Sequence, residues 1–103
     1  MLLPGAEALG LNHSQCLELL ESSEDTLDLL ISTLVYLIYA ESRQPQPDSA
    51  LIDSWRAQQQ ELVDFEYTLP GSSATEYQQA IHTCSMRIRE LRPLVERYRS
   101  KEA

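Results

Sequence analysis

The sequence predicts an all-α protein. An antiparallel three-helix core is expected at about residues 24–41, 50–68 and 74–92, with a short N-terminal helix and a C-terminal extension kinked at Pro93. Three observations carry this. Apolar residues recur at steps of three and four along three stretches, the spacing of one helical face. Capping-box pairs, Asn12 with Gln15 and Ser73 with Glu76, stand before the first and last of them. Between the stretches lie Pro45, Pro47 and the Pro70-Gly71 pair. Proline ends helices because it lacks a backbone donor and clashes with the preceding turn.

Asn12 opens the first helix, with Leu11 and Cys16 placed as a hydrophobic staple. The series Leu17, Leu20, Leu27, Ile31, Leu34, Ile38 keeps heptad-like spacing, with Glu24 in its one gap. Ser22-Ser23-Glu24-Asp25 is itself a helix-start pattern, so a break or kink is expected there. Leu27–Ala40 is apolar on nearly every side, the mark of a helix covered by several neighbours or by a partner chain. Ser42–Ser49 is a linker, and Asp48 or Ser49 caps the next helix, whose stripe is Leu51, Trp55, Gln58, Leu62, Phe65, Leu69. The last helix has an unbroken seam of Tyr77, Ile81, Cys84, Ile88, Leu91, Val95 and Tyr98. Short loops make successive helices antiparallel neighbours. The 50–68 helix is then expected between the other two, with 12–22 and 93–100 overhanging opposite ends.

A length of 103 residues suits one domain, and 43 % apolar composition suits a folded one. Cys16 and Cys84 lie in apolar-periodic segments and read as core thiols in a reducing, cytoplasmic setting. The N-terminal Met-Leu-Leu-Pro-Gly-Ala-Glu lacks the basic region of a signal peptide. Leu27–Ala40 contains Asp28 and is shorter than the roughly 20 residues a membrane span needs.

Charge is polarised along the chain. Residues 1–42 carry seven acids and no Lys or Arg, whereas 87–103 carry six bases and three acids, within a net charge of −8. That balance disfavours nucleic acid or an anionic membrane as partner, because both demand a basic surface. It favours a protein partner with a basic surface. Glu18, Glu21, Asp25 and Asp28 share one helical face, where like charges repel with no base in the helix to offset them. They are the first candidate binding residues. Tyr36 and Tyr39 are the second, because apolar and aromatic surface on 27–40 exceeds what a three-helix core uses. A homodimer through this helix is one expected use of that excess.

His13 with Cys16, and His82 with Cys84, have a zinc-type inventory but lie at different levels, and residues two apart on a helix diverge. No metal or cofactor is expected from them. Trp55, Phe65, Tyr77 and Tyr98 fall on the seams and are expected in the core. No Gly-rich phosphate loop occurs, and no nucleophile–base–orienter constellation is evident. The pairs Glu18/Glu21, Glu21/Glu24 and Glu61/Asp64 resemble the paired acidic motifs of the all-α nucleotide pyrophosphatases of the MazG type. That resemblance implies carboxylates holding Mg²⁺ against a triphosphate. The stretch up to residue 42 offers no base for the phosphates.

The leading expectation is therefore a small acidic, non-enzymatic binding protein, of the immunity, antitoxin or inhibitor kind, that masks a basic site on its partner. A chaperone or adaptor subunit binding through 27–40 is the alternative. A Mg²⁺-dependent pyrophosphatase is the remote one.

Overall fold

Asn12 begins the first helix by a reciprocal pair of bonds. Its Oδ1 accepts from the Gln15 amide at 2.8 Å, while Gln15 Oε1 accepts from the Asn12 amide at 2.9 Å. In the computed structural model, which describes residues 2–102, that helix is α1 (His13–Ser42), followed by α2 (Ser49–Thr68) and α3 (Ala74–Glu102). Asp48 caps α2 through the Leu51 amide at 3.1 Å. Ser73 and Glu76 form the expected capping box ahead of α3. The turn at Pro70-Gly71 needs Gly71 because its φ of 89° lies in the left-handed region.

The three-helix all-α architecture is as the sequence predicts, but the first helix is not split. Ser23 Oγ donates back to the Leu20 carbonyl at 2.8 Å, and Thr26 Oγ1 to the Ser22 carbonyl at 2.7 Å. The Ser23 hydroxyl, which reads as part of a helix start, is absorbed within the helix, an alternative open to any serine or threonine. The short N-terminal helix is thus the first turns of α1. Leu20, Leu27 and Leu34 hold their expected places in the core seam, but its alternate positions are shifted by one. Cys16, Ser23, Leu30 and Leu37 with Leu27 and Leu34 are buried, so Ser23 rather than Glu24 fills the gap and Leu17 is exposed. At the other end, α3 runs through Pro93 in one helix, although the ring denies the Arg89 carbonyl its helical donor.

The order of the layers is the second correction. α1, not α2, is central: both α2 and α3 pack on it, and among the described residues no Cα of α2 comes within 8 Å of one in α3. The cause is the width of each apolar arc. α1 buries Leu27, Leu30, Leu34, Leu37 and Ala40, enough to serve two neighbours, whereas α2 fully buries only Ile52 and Trp55.

α1 and α3 run parallel and side by side for nearly their whole lengths. Cys16 clusters with Ala74 at one end, and Tyr98 meets Glu41 at the other. Residues 12–22 and 93–100 therefore do not overhang. α2 is shorter by about three turns, roughly 15 Å. The N-terminal arm takes its place: Leu3 and Ala6 pack against Cys16 and Leu19, and the Ala74 amide donates to the Pro4 carbonyl at 2.8 Å. The Cα trace measures 54 × 25 × 15 Å, with a radius of gyration of 16.5 Å against about 13 Å for a compact chain of this size. The result is a long, thin layer of helices with two broad faces.

Candidate functional site

The outer face of α1 lies opposite its core seam. Glu18, Glu21, Asp25 and Asp28 all project there and all are exposed. None of the four makes a hydrogen bond or ion pair with another described residue, and α1 contains no Lys or Arg. The face continues toward the C-terminus through Leu29, Val35 and Tyr39, which are 55 %, 47 % and 50 % exposed. The six residues selected from the sequence thus divide. The four acids and Tyr39 share this surface. Tyr36 is half-buried and turned toward α3, its hydroxyl donating to Glu102 Oε2 at 3.2 Å. Burial and the Glu102 carboxylate push the Tyr36 hydroxyl above its ordinary pKa. Of the apolar excess expected on 27–40, Leu29 and Tyr39 remain exposed while Leu37 is fully buried.

Tyr39 ends the face with Arg43. The Arg43 guanidinium donates to the Tyr39 hydroxyl and sits 5.2 Å from the ring centroid, a cation–π arrangement. Charge along this surface therefore runs from four carboxylates to one guanidinium.

The opposite broad face holds a groove. Because α2 and α3 diverge, they leave an open cleft of about 610 Å³ over the middle of α1. Leu30 and Leu34 form its floor, Leu62, Phe65, Ala80 and Cys84 its walls, and Glu61, Glu76, Gln79 and Arg87 its rim. Phe65, expected in the core, is 39 % exposed here. Across the groove Arg87 Nη2 donates to Gln58 Oε1 at 2.7 Å, and at its closed end the Tyr77 hydroxyl donates to the carbonyl of Leu69, the cap of α2, at 2.7 Å. Arg87 also pairs with Glu90 at 3.0 Å. The sequence reading missed this groove. Its signal was Gln58, a polar residue in the middle of the α2 stripe, where an apolar side chain would have drawn α3 inward.

The remaining candidate groups are dispersed. Burial pushes the Cys84 thiol above its ordinary pKa, so it behaves as an apolar wall rather than a thiolate. Cys16 is buried in the small cluster under the N-terminal arm, and His82 is exposed. Glu18 and Glu21 lie on the outer face of α1, whereas Glu61 lies on the groove rim and Asp64 accepts from Gln60 Nε2 at 2.9 Å. The paired acids therefore sit on different surfaces. Among the described residues, no three His, Cys, Asp or Glu side chains are grouped to hold a metal ion, and no helix is long and apolar enough to cross a membrane.

One partly buried polar network ties the basic end together. The Tyr98 hydroxyl donates to Glu41 Oε1 at 2.5 Å, and Glu41 Oε2 accepts from the Asp48 amide at 3.2 Å. Burial first, and the Glu41 carboxylate second, push the Tyr98 hydroxyl up to about 12. The neutral phenol is the form the fold prefers. Its contribution is complete below pH 10, where the unfolded tyrosine is also neutral, and is lost as pH rises from about 10 to about 12. We expect Tyr98→Phe to remove a loss of on the order of 2 kcal/mol in that window. Urea unfolding of both proteins between pH 9 and 12 checks it, with Tyr36 and Tyr77 contributing equally to each.

No protein-family model, curated protein or solved structure matches the chain.

Proposed function

We propose that this chain is a non-enzymatic protein-binding module that presents the outer face of α1 to a basic surface on its partner, in the manner of an immunity, antitoxin or inhibitor protein. One observation carries the reading: four exposed carboxylates on one helical face, without a partner among the described residues and without a Lys or Arg anywhere in their helix. A helix that served only to fold would gain about 0.2–0.5 kcal/mol from each base placed at i+3 or i+4 of those acids. Instead it keeps their mutual repulsion. Lysines or arginines from another protein would relieve it, and the acidic pole would speed their approach.

Changing Glu18, Glu21, Asp25 and Asp28 together to their amides should leave helicity unchanged or slightly raised. Association with a partner captured from native lysate should slow at least tenfold at low salt, and the difference should shrink as salt screens the charges. Circular dichroism and stopped-flow mixing measure the two effects. An unchanged association rate would overturn the reading.

The groove favours a second reading, in which the chain is an adaptor that receives an apolar helical segment. Leu30 and Leu34 of the 27–40 stretch form its floor, and it extends from Glu76 to Arg87, three turns of α3. That is the length of a peptide with anchors at i, i+4 and i+7. Binding there would be nearly indifferent to salt and lost in Phe65→Glu. Metal-dependent nucleotide hydrolysis by the purified chain would instead support the pyrophosphatase resemblance.

A further inference from the structure

Asp25, Asp28, Ser32, Val35 and Tyr39 are all exposed and follow one another at steps of three, four, three and four. This is a second heptad seam on α1, on the side away from the core, and such spacing keeps the residues on one face of the helix with a drift of only about 20° per heptad. The seam has polarity. Its N-terminal half is acidic, its middle is Leu29, Ser32 and Val35, and its C-terminal half ends in Tyr39 and Arg43.

We propose that two copies of the chain pair through this face, antiparallel, with the two-fold axis passing near Ser32 and Val35. Charge selects the direction. A parallel pair would lay acids on acids, whereas an antiparallel one lays residues 21–28 of each copy against Tyr39 and Arg43 of the other. The contact is isologous, so each favourable pairing occurs twice. Its centre covers the exposed Leu29 and Val35, and Ser32 is small enough for the two helices to approach closely. Tyr39 is already held by Arg43 through an accepted hydrogen bond, which leaves its own proton for a carboxylate of the second copy. The shared length, residues 21–43, is about 33 Å of helix.

This goes beyond the reading above while sharing its surface: the free protein stores its acidic face in the dimer, and a basic partner must compete for it.

The full-length chain tests this without any partner. Sedimentation at micromolar concentration should give the dimer at low salt and shift toward monomer at high salt. In Ser32→Cys the introduced thiol is exposed while Cys16 and Cys84 stay buried. A short bis-maleimide should link two copies of that variant efficiently, but not two copies of Ser54→Cys, an exposed position on α2. Asp25→Lys with Asp28→Lys should weaken dimerisation at least tenfold, and adding Arg43→Glu should restore part of it. A monomer at every salt concentration, or equal cross-linking at Ser32 and Ser54, would overturn the proposal. Neither result touches the salt-dependent partner association of the amide variant, so the two readings fail separately.

Discussion

A chain ending at Arg92 is expected to melt at least about 20 °C below the full-length protein. The sequence alone makes residues 93–100 an overhang whose loss would spare the core. In the structure those residues cover the C-terminal third of α1. Tyr98 is 6 % exposed, and Leu94 and Val95 pack against the same core as Leu37 and Ala40. Deleting a buried aromatic side chain alone costs about 3–5 kcal/mol. Removing Tyr98 also takes away the donor to Glu41, the residue that holds the Asp48 amide at the start of α2. The combined loss approaches the 5–15 kcal/mol that holds a small domain together. At about 4–8 °C per kcal/mol for a domain near this size, a 20 °C fall is the low end of expectation. Circular dichroism melts of the two chains decide it. Equal melting temperatures would mean that the tail is a solvated arm and that Tyr98 does not bear on α1.

That change of expectation shows which features local sequence carries and which it does not. The caps at Asn12, Asp48 and Ser73, the turn at Gly71 and the seam of α3, with Ala80 buried in place of the expected Ile81, were legible, because each depends on residues within a few positions of one another. The acidic face was legible for the same reason: Glu18, Glu21, Asp25 and Asp28 are fixed on one side by helical spacing alone. The continuity of α1 through Ser22-Ser23 was not, since a serine hydroxyl serves equally as a cap acceptor or as a donor to the preceding turn. Packing on Ala6 and Ala74 at one end and on Trp55 and Tyr98 at the other keeps α1 whole. The register of α3 against α1 depends on the N-terminal arm filling the space that a longer α2 would take. The orientation of Tyr36 depends on Glu102, 66 residues away. Those are long-range facts, as is the divergence of α2 from α3 that opens the groove.

Trp55→Ala should release α2 as a unit. Trp55 is 2 % exposed, and with Ile52 it is one of only two fully buried residues in that helix. Truncating a buried tryptophan costs about 3–5 kcal/mol, because it removes a large apolar area and leaves a cavity that the surroundings fill only in part. In a closely packed triangle of helices the loss would be shared by two neighbours. Here α2 packs on α1 and is tied to α3 by the Arg87–Gln58 bond and by Tyr77 at its Leu69 cap, so little else resists its opening, and α1 and α3 keep the contacts they make with each other. The expected result is sub-global. Hydrogen exchange in Trp55→Ala should accelerate at the amides of residues 52–68 while the central turns of α1 and α3 stay protected. Urea unfolding should show the same loss as a lowered midpoint. Because α2 is one wall of the groove, any ligand of the groove would be lost with it, while contacts of the outer α1 face would persist. Uniform acceleration across all three helices would instead make the bundle one cooperative unit, with α2 held by more than its packing on α1.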